Sequence, residues 1–275
     1  MTEPLATALA RMVLNRDLGG LDKAAGSLRA SIEKTVDAAA RARQLSWLAF
    51  VLRSRFEVTE DLADADFALS AGRAAIDLLD EHDPDRYTYL NNLGNTLLAR
   101  ARHTKAEEDL RAAVRAFEDA GRGSADPAML SNLANALTET YERTGEPGVL
   151  DRAVDAYHRA YAGTAEGDPD RSVFATNLSN ALRMRFARST DPEDLEAMII
   201  WSRCAVAGGT GHPRFGAFTG NLALALRLYS EHTGNEDAID EAVSLTRQAL
   251  ELEGNGPALA SQLSTSAAPF MSAMT

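Results

Sequence analysis

The sequence predicts an all-α fold, a right-handed solenoid of antiparallel helical hairpins, and three observations predict it. First, a short motif recurs: Asn92-Leu-Gly-Asn95, Asn132-Leu-Ala-Asn135, Asn177-Leu-Ser-Asn180 and Asn221-Leu-Ala-Leu224, with first residues 40, 45 and 44 positions apart. Self-similarity at such a period marks a repeat architecture. Second, Trp47-Leu-Ala-Phe50 stands one period earlier, and all five anchors are followed by Leu at +1 (Leu48, Leu93, Leu133, Leu178, Leu222) and at +5 (Leu52, Leu97, Leu137, Leu182, Leu226). Leucines four apart form one stripe of a helix. Third, no stretch alternates polar and apolar residues as a half-buried strand does.

Each helix has its own start and stop signals. The first helix of each hairpin, helix A, carries the motif and opens on a proline: Pro84, Pro127, Pro169, Pro213 and Pro257. Proline suits the first turn, where its missing N–H has no partner to lose. Before Asn132 and before Gln262 the proline lies five residues ahead of the anchor, against eight elsewhere. Helix A is therefore shorter there by about one turn, or the loop has moved in.

The second helix, helix B, starts about fourteen residues after the anchor, where Glu146-Pro147 and Asp191-Pro192 pair an acidic cap with proline. Gly234-Asn235 reads as the glycine ending one helix and the cap opening the next. A hydroxyl recurs at +12 (Thr59, Thr104, Thr144, Ser189, Thr233) and Ala at +28 (Ala75, Ala120, Ala160, Ala205, Ala249). The alanines are expected to be buried where helix B meets the next hairpin. Gly121-Arg-Gly-Ser124, residues 163–167 and Gly208-Gly-Thr-Gly211 close hairpins.

The pattern divides the chain into a degenerate first repeat at 1–39, five repeats at 40–256, and the start of a further repeat or terminal helix at 257–275. The degenerate copy is anchored at Glu3 and supported by Leu21-Asp-Lys-Ala24 against Leu150-Asp-Arg-Ala153. The last segment, rich in apolar residues, is expected to dock on a second copy or to fray where a natural chain continues.

Composition narrows the function classes. The 275 residues are 45% hydrophobic and 25% charged, enough for a large core, and carry a formal net charge of -12. Nucleic acid and anionic membranes need clustered cations, so neither is the expected partner; a basic peptide or protein face suits this charge. No run reaches the roughly 18 apolar residues of a membrane span. No basic segment precedes an apolar run near Met1, so the chain reads as cytoplasmic.

A single cysteine, Cys204, excludes an internal disulfide and a cysteine-based zinc site, and is read as a buried inert thiol. His82, His103, His158, His212 and His232 show no metal-pair spacing; His103 and His232 share the +11 position at the exposed end of helix A. No glycine-rich phosphate loop occurs. The acidic runs 57–66, 77–85 and 107–109 read as solvated faces and helix starts. No catalytic group, metal or cofactor is expected.

A period of 40 to 45 residues would by length suit HEAT or armadillo repeats, but the residues inside it favour another type. Leu93-Gly94-x2-Leu97 with Ala113-x3-Phe117-x2-Ala120, and Ala153-x3-Tyr157-x2-Ala160, resemble tetratricopeptide (TPR) repeats. The motif Leu and the helix-B Ala are seven residues further apart than in the 34-residue form, close to two helical turns, which keeps the buried face in phase. The strings NLGNTLLAR with DLRAAVRAF, and NLANALTETYERTGEPGVLDRAVDAY, resemble the long TPR-like repeats of large actinobacterial proteins over residues 40–265. Such repeats often accompany a CHAT protease domain or a signalling ATPase. The resemblance implies a recognition role and carries no chemistry over.

In a TPR array the A helices line the concave groove, and the residue before the motif Leu points into it. Asn92, Asn132, Asn177 and Asn221 hold that place, with Asn95, Asn135 and Asn180 three residues later on the same face. Carboxamides both donate and accept, which suits gripping an extended peptide backbone. The alternative is a structural ladder of amides bonded between neighbouring A helices. Trp47 and Phe50 give the groove an apolar N-terminal end. Four before the anchors stand Thr88, Ala128, Val173 and Ala217, with a basic residue only at Arg43, so a clamp for a terminal carboxylate is not expected. The leading reading is a module binding a protein or peptide on the concave face. A self-associating scaffold, a homo-oligomer through its terminal repeats, is the alternative.

Overall fold

In the computed structural model residues 5–254 except 124 are described, and side chains over 7–247 except 123 and 124. The described residues form helices and no strand: α1 Leu5–Leu14, α2 Leu18–Lys34, α3 Ala38–Thr59, α4 Leu62–Asp77, α5 Pro84–Thr104, α6 Glu107–Gly123, α7 Pro127–Thr144, α8 Pro147–Gly163, α9 Pro169–Ser189, α10 Pro192–Gly208, α11 Phe215–Thr233 and α12 Glu236–Gly254. They divide into two compact units, Met1–Thr144 and Gly145–Thr275. In the first, each helix from α1 to α7 packs on the next, and the A helices α3, α5 and α7 also touch in succession. In the second, α8 to α12 pack in the same order and α9 touches α11.

Among the described residues the helices open at the expected prolines except at Pro213, and at Glu146 the expected cap position makes no side-chain cap hydrogen bond. Asp83 and Asp168 accept from the backbone N–H of Asp85 and Asp170, each at 2.9 Å, with proline at the first helical positions. Pro213 instead lies in a turn and α11 opens at Phe215; His212 Nδ1 accepts from the Arg214 N–H at 3.0 Å. With His in place of Asp at the cap position, the turn is stabilised and the helix is delayed. Of the two readings of the short interval, the helix is the part that changed: α7 has 18 residues against 21 in α5 and α9. Pro257 and the 257–275 segment lie outside the described residues.

One joint is repeated between helix A and helix B. The residue at +13 is left-handed every time: Glu60 (φ 59°), Lys105 (61°), Gly145 (69°), Thr190 (54°) and Gly234 (74°). Arg16, thirteen after Glu3, has φ 50°. The +12 hydroxyl explains itself here. Thr104 Oγ1 donates to the Arg100 carbonyl at 2.8 Å and accepts from the Ala106 N–H at 3.3 Å. Thr59, Ser189 and Thr233 bridge the same way, tying the last turn of A to the cap of B.

The apolar columns form the core. All five +5 leucines are buried, as are Ala75, Ala120, Ala160 and Ala205; the Ala249 side chain lies outside the described residues. Leu48, Leu178 and Leu222 are buried at +1, whereas Leu93 and Leu133 are half-buried at the edge of a cluster centred on Phe117. The Leu-Gly pair has a steric reason: a Cβ on Gly94 would stand 2.7 Å from the Phe117 ring.

Candidate functional site

The A-helix face of the first unit opens into a cleft of about 250 Å³ between α3 and α5. Arg43, Ser46, Trp47 and Phe50 line one side, and Asp85, Thr88, Tyr89 and Asn92 the other. Helical spacing explains the grouping, because these residues recur every three or four positions on facing stripes. Trp47 and Phe50 meet edge to face with centroids 6.1 Å apart, and the Arg53 guanidinium lies 5.3 Å over the Phe50 ring. Both aromatics lean on the α1–α4 core by one edge and remain half-buried. Burial, then the Asp85 charge, pushes the Tyr89 phenol above its ordinary value, so it stays protonated and a hydrogen-bond donor.

All nine candidate residues are half-buried: Trp47, Phe50, Asn92, Asn95, Asn132, Asn135, Asn177, Asn180 and Asn221. Their positions differ in detail. Three of them, Trp47, Phe50 and Asn92, share the cleft. Asn132 Nδ2 donates to Asn91 Oδ1 at 3.0 Å, a single rung between α7 and α5. That rung uses the residue before the anchor, which the sequence reading passed over. Asn135 has an interaction partner as well. Among the described residues the carboxamides of Asn92, Asn95, Asn177, Asn180 and Asn221 make no hydrogen bond. Asn177, Asn180 and Asn221 belong to the second unit, on α9 and α11.

Two acidic residues, Asp64 and Asp109, depart from the solvated-face reading, and Asp194 on α10 is buried in the same way. Asp64, Asp109 and Asp194 are 5%, 8% and 4% exposed, each beneath an arginine of the preceding helix A. Arg185 Nη2 donates to Asp194 Oδ1 at 2.6 Å and Nη1 to Asp151 Oδ1 at 3.0 Å. Arg100 holds Asp109 and Asp66 alike, and Arg55 lies between Asp22 and Asp64. Each arginine thus joins the preceding helix B to its own hairpin. The register is fixed: Arg at +8, Asp at +17, and Asp at +19 of the preceding repeat. One carboxylate of each set is buried and the other, Asp22, Asp66 or Asp151, is exposed; at Arg100 and Arg185 the guanidinium fork satisfies the buried one. The signal was present at constant offsets, like the Leu and Ala columns, but charge blocks obscured it.

Other side chains also sit differently from the reading of the sequence. His103 and His232 are not simple surface residues: their rings stand edge to face on Phe56 and Phe186 of the preceding A helix, at 5.5 and 5.3 Å. Cys204 is half-buried rather than buried, among Trp201, Val206 and Phe215. Among the described residues no group of three His, Cys, Asp or Glu side chains is placed to hold a metal, and no helix is long and apolar enough to cross a membrane.

No family model matches the chain, and no curated protein matches it. Solved structures do. The structure of BtubC (BKLC) from P. vanneervenii is 16% identical with a TM-score of 0.62, over 90% of this chain and 91% of that one. A Podosopora anserina putative kinesin light chain with nearly identical TPR-like repeats is 17% identical with a TM-score of 0.57, over 80% and 97%. The structure of MamA is 18% identical with a TM-score of 0.51, over 73% and 94%. The fold is all-α and TPR-like.

Proposed function

We propose that this protein is a recognition module that binds a peptide or protein segment on its A-helix face, the concave face of a TPR-like array. The α3–α5 cleft carries the reading: an apolar wall of Trp47 and Phe50 faces the unbonded carboxamide of Asn92. An aromatic anchor beside polar groups free to pair is the arrangement found at binding hot spots. Asn95 in the first unit, and Asn177, Asn180 and Asn221 on α9 and α11 of the second, offer unbonded amides of the same chemistry on the A helices of their own unit. The net charge of -12 suits a basic partner. A long-repeat array of the kind that accompanies CHAT or ATPase domains would use this face to receive a partner for them. The cytoplasm is the proposed location. The test compares partner capture by the wild type, Trp47→Ala/Asn92→Ala, and a control, Lys23→Ala, at an exposed position on α2. A partner lost by the first variant at unchanged melting temperature, and kept by the control, supports the reading. Equal capture by all three overturns it.

A further inference from the structure

The repeated arginine is missing from α11, and what stands in its place is a cleft. Tyr229 occupies the +8 position and Ala238 the +17 position, while Glu196 keeps a carboxylate at +19 of the preceding repeat. Between α10, α11 and the first turns of α12 lies a cleft of about 350 Å³, lined by Glu196, Ile199, Ile200, Tyr229, Asp237 and Ala238 among others. Glu196 and Asp237 are exposed and pair with no cation among the described residues. The one guanidinium at the rim, Arg203, is taken by Glu241 at 2.7 Å. Ile200 is 58% exposed, a large apolar side chain turned to solvent.

We infer that this cleft receives an arginine side chain from a basic peptide segment of a partner, which supplies from outside the guanidinium that Arg55, Arg100 and Arg185 supply from within. The chain itself shows the chemistry three times: a +19 carboxylate, reached by an arginine that lies along the hairpin seam. In the cleft the guanidinium lies between Glu196 and Asp237, and its aliphatic stem covers Ile199 and Ile200. The Tyr229 ring offers a face for the cation. Lysine fits less well, because an ammonium cannot fork between two carboxylates. This site lies in the second unit and shares no residue with the α3–α5 cleft, so either reading can fail alone.

The test titrates the whole chain with an arginine hexapeptide at about 0.15 M salt, reading the methyl resonances of Ile199 and Ile200. Saturable shifts in both methyls are expected, with a lysine hexapeptide binding several-fold more weakly. Glu196→Gln/Asp237→Asn should lower the apparent affinity by about ten-fold or more, far beyond the effect of removing two of many diffuse charges. Tyr229→Arg/Ala238→Asp rebuilds the internal arrangement; it should raise the melting temperature and abolish the shifts. Absence of shifts in the wild type, shifts that survive Glu196→Gln/Asp237→Asn, or equal binding of the two peptides would overturn the inference.

Discussion

Arg100 and Asp109 form a two-pronged pair, Nε to Oδ2 at 2.8 Å and Nη2 to Oδ1 at 2.6 Å, while the third nitrogen of the same guanidinium holds Asp66 on the preceding helix B. Three helices, α4, α5 and α6, are pinned by one side chain. The hydrogen bonds to Asp109 hold the guanidinium above its already high ordinary value, so it stays charged. Removing it leaves Asp109, 8% exposed, without its counter-charge. Arg100→Ala should destabilise by about 2–3 kcal/mol, somewhat under the roughly 3–5 kcal/mol of a fully buried pair because the arginine is itself half-exposed. Arg100→Lys should recover only part of this, since the fork is lost. Urea denaturation of the two variants checks both values; equal stability of wild type and Arg100→Ala would remove the arginine from the load of the fold.

The third arginine site behaves differently, and pH exposes it. Arg55 Nε stands 3.3 Å from Asp64 Oδ2 as an ion pair, and that oxygen has no hydrogen bond. Burial raises the Asp64 carboxyl above 3.8, and Arg55 only partly opposes this. With the folded value above the unfolded one, the native state binds the extra proton. This group's contribution to stability is therefore fully present below the unfolded value and is lost as pH rises through the folded value. Asp64→Asn should be neutral or stabilising at pH 7, whereas Asp109→Asn, which breaks a well-formed fork, should destabilise. Melting temperatures across pH 3 to 7 should show the Asp64→Asn advantage shrinking toward the acid end.

Left-handed residues at the A–B joint give a third prediction. Thr190, β-branched, holds φ 54°, and Lys105 holds φ 61°. A side chain there costs about 1–2 kcal/mol, and glycine returns part of the gain through its freer unfolded chain. Thr190→Gly and Lys105→Gly should each stabilise by about 0.5–1 kcal/mol, read from denaturation midpoints. Gly145→Ala should destabilise, although its Cβ would meet nothing within 4 Å, so that backbone conformation alone is tested.

Close packing of the hairpin gives a fourth. Gly94→Ala would place a methyl 2.7 Å from the Phe117 ring, and Ala160→Leu would fill a site that is 0% exposed. Each should cost about 1–3 kcal/mol. Midpoints unchanged by both would mean that the seams between helices are looser than these distances describe.

The fold was legible because its signals are local and repeated. Leu97 and Ala120 sit in columns that five copies reinforce, and Asp168 with Pro169 marks a helix start by backbone chemistry alone. Pro213 misled because its cap residue is His212, whose ring nitrogen satisfies a turn instead of a first helical N–H. The arginine network was harder to read, since Asp109 lies beside Glu107 and Glu108 and only the fold separates the buried charge from the two exposed ones. The face proposed for binding was half legible. Sequence spacing put Trp47, Asn92 and Asn132 on the A helices, but whether an amide is bonded depends on the stagger of neighbouring helices, which no single strand of letters carries.

That stagger separates two asparagines that the sequence treats alike. Asn132 donates to Asn91 at 3.0 Å, so its side chain joins α7 to α5. Asn177, at the same place in its own repeat, makes no such bond among the described residues. Asn132→Ala should therefore destabilise by about 0.5–1.5 kcal/mol, the net worth of one hydrogen bond, and leave Asn91 to solvent because the site is half-buried. Asn91→Ala should cost a similar amount, and the double variant no more than either single one, so that a double-mutant cycle reports a coupling near the full effect. Asn177→Ala should leave the denaturation midpoint unchanged. If Asn177 grips a peptide backbone, its substitution should instead weaken partner binding by several-fold to about ten-fold at constant stability. Equal stability losses at Asn132 and Asn177 would make both amides rungs of one structural ladder and would withdraw Asn177 from the binding face. A loss of binding at Asn177 without loss of stability, beside the reverse at Asn132, would assign the two halves of the asparagine column to different tasks.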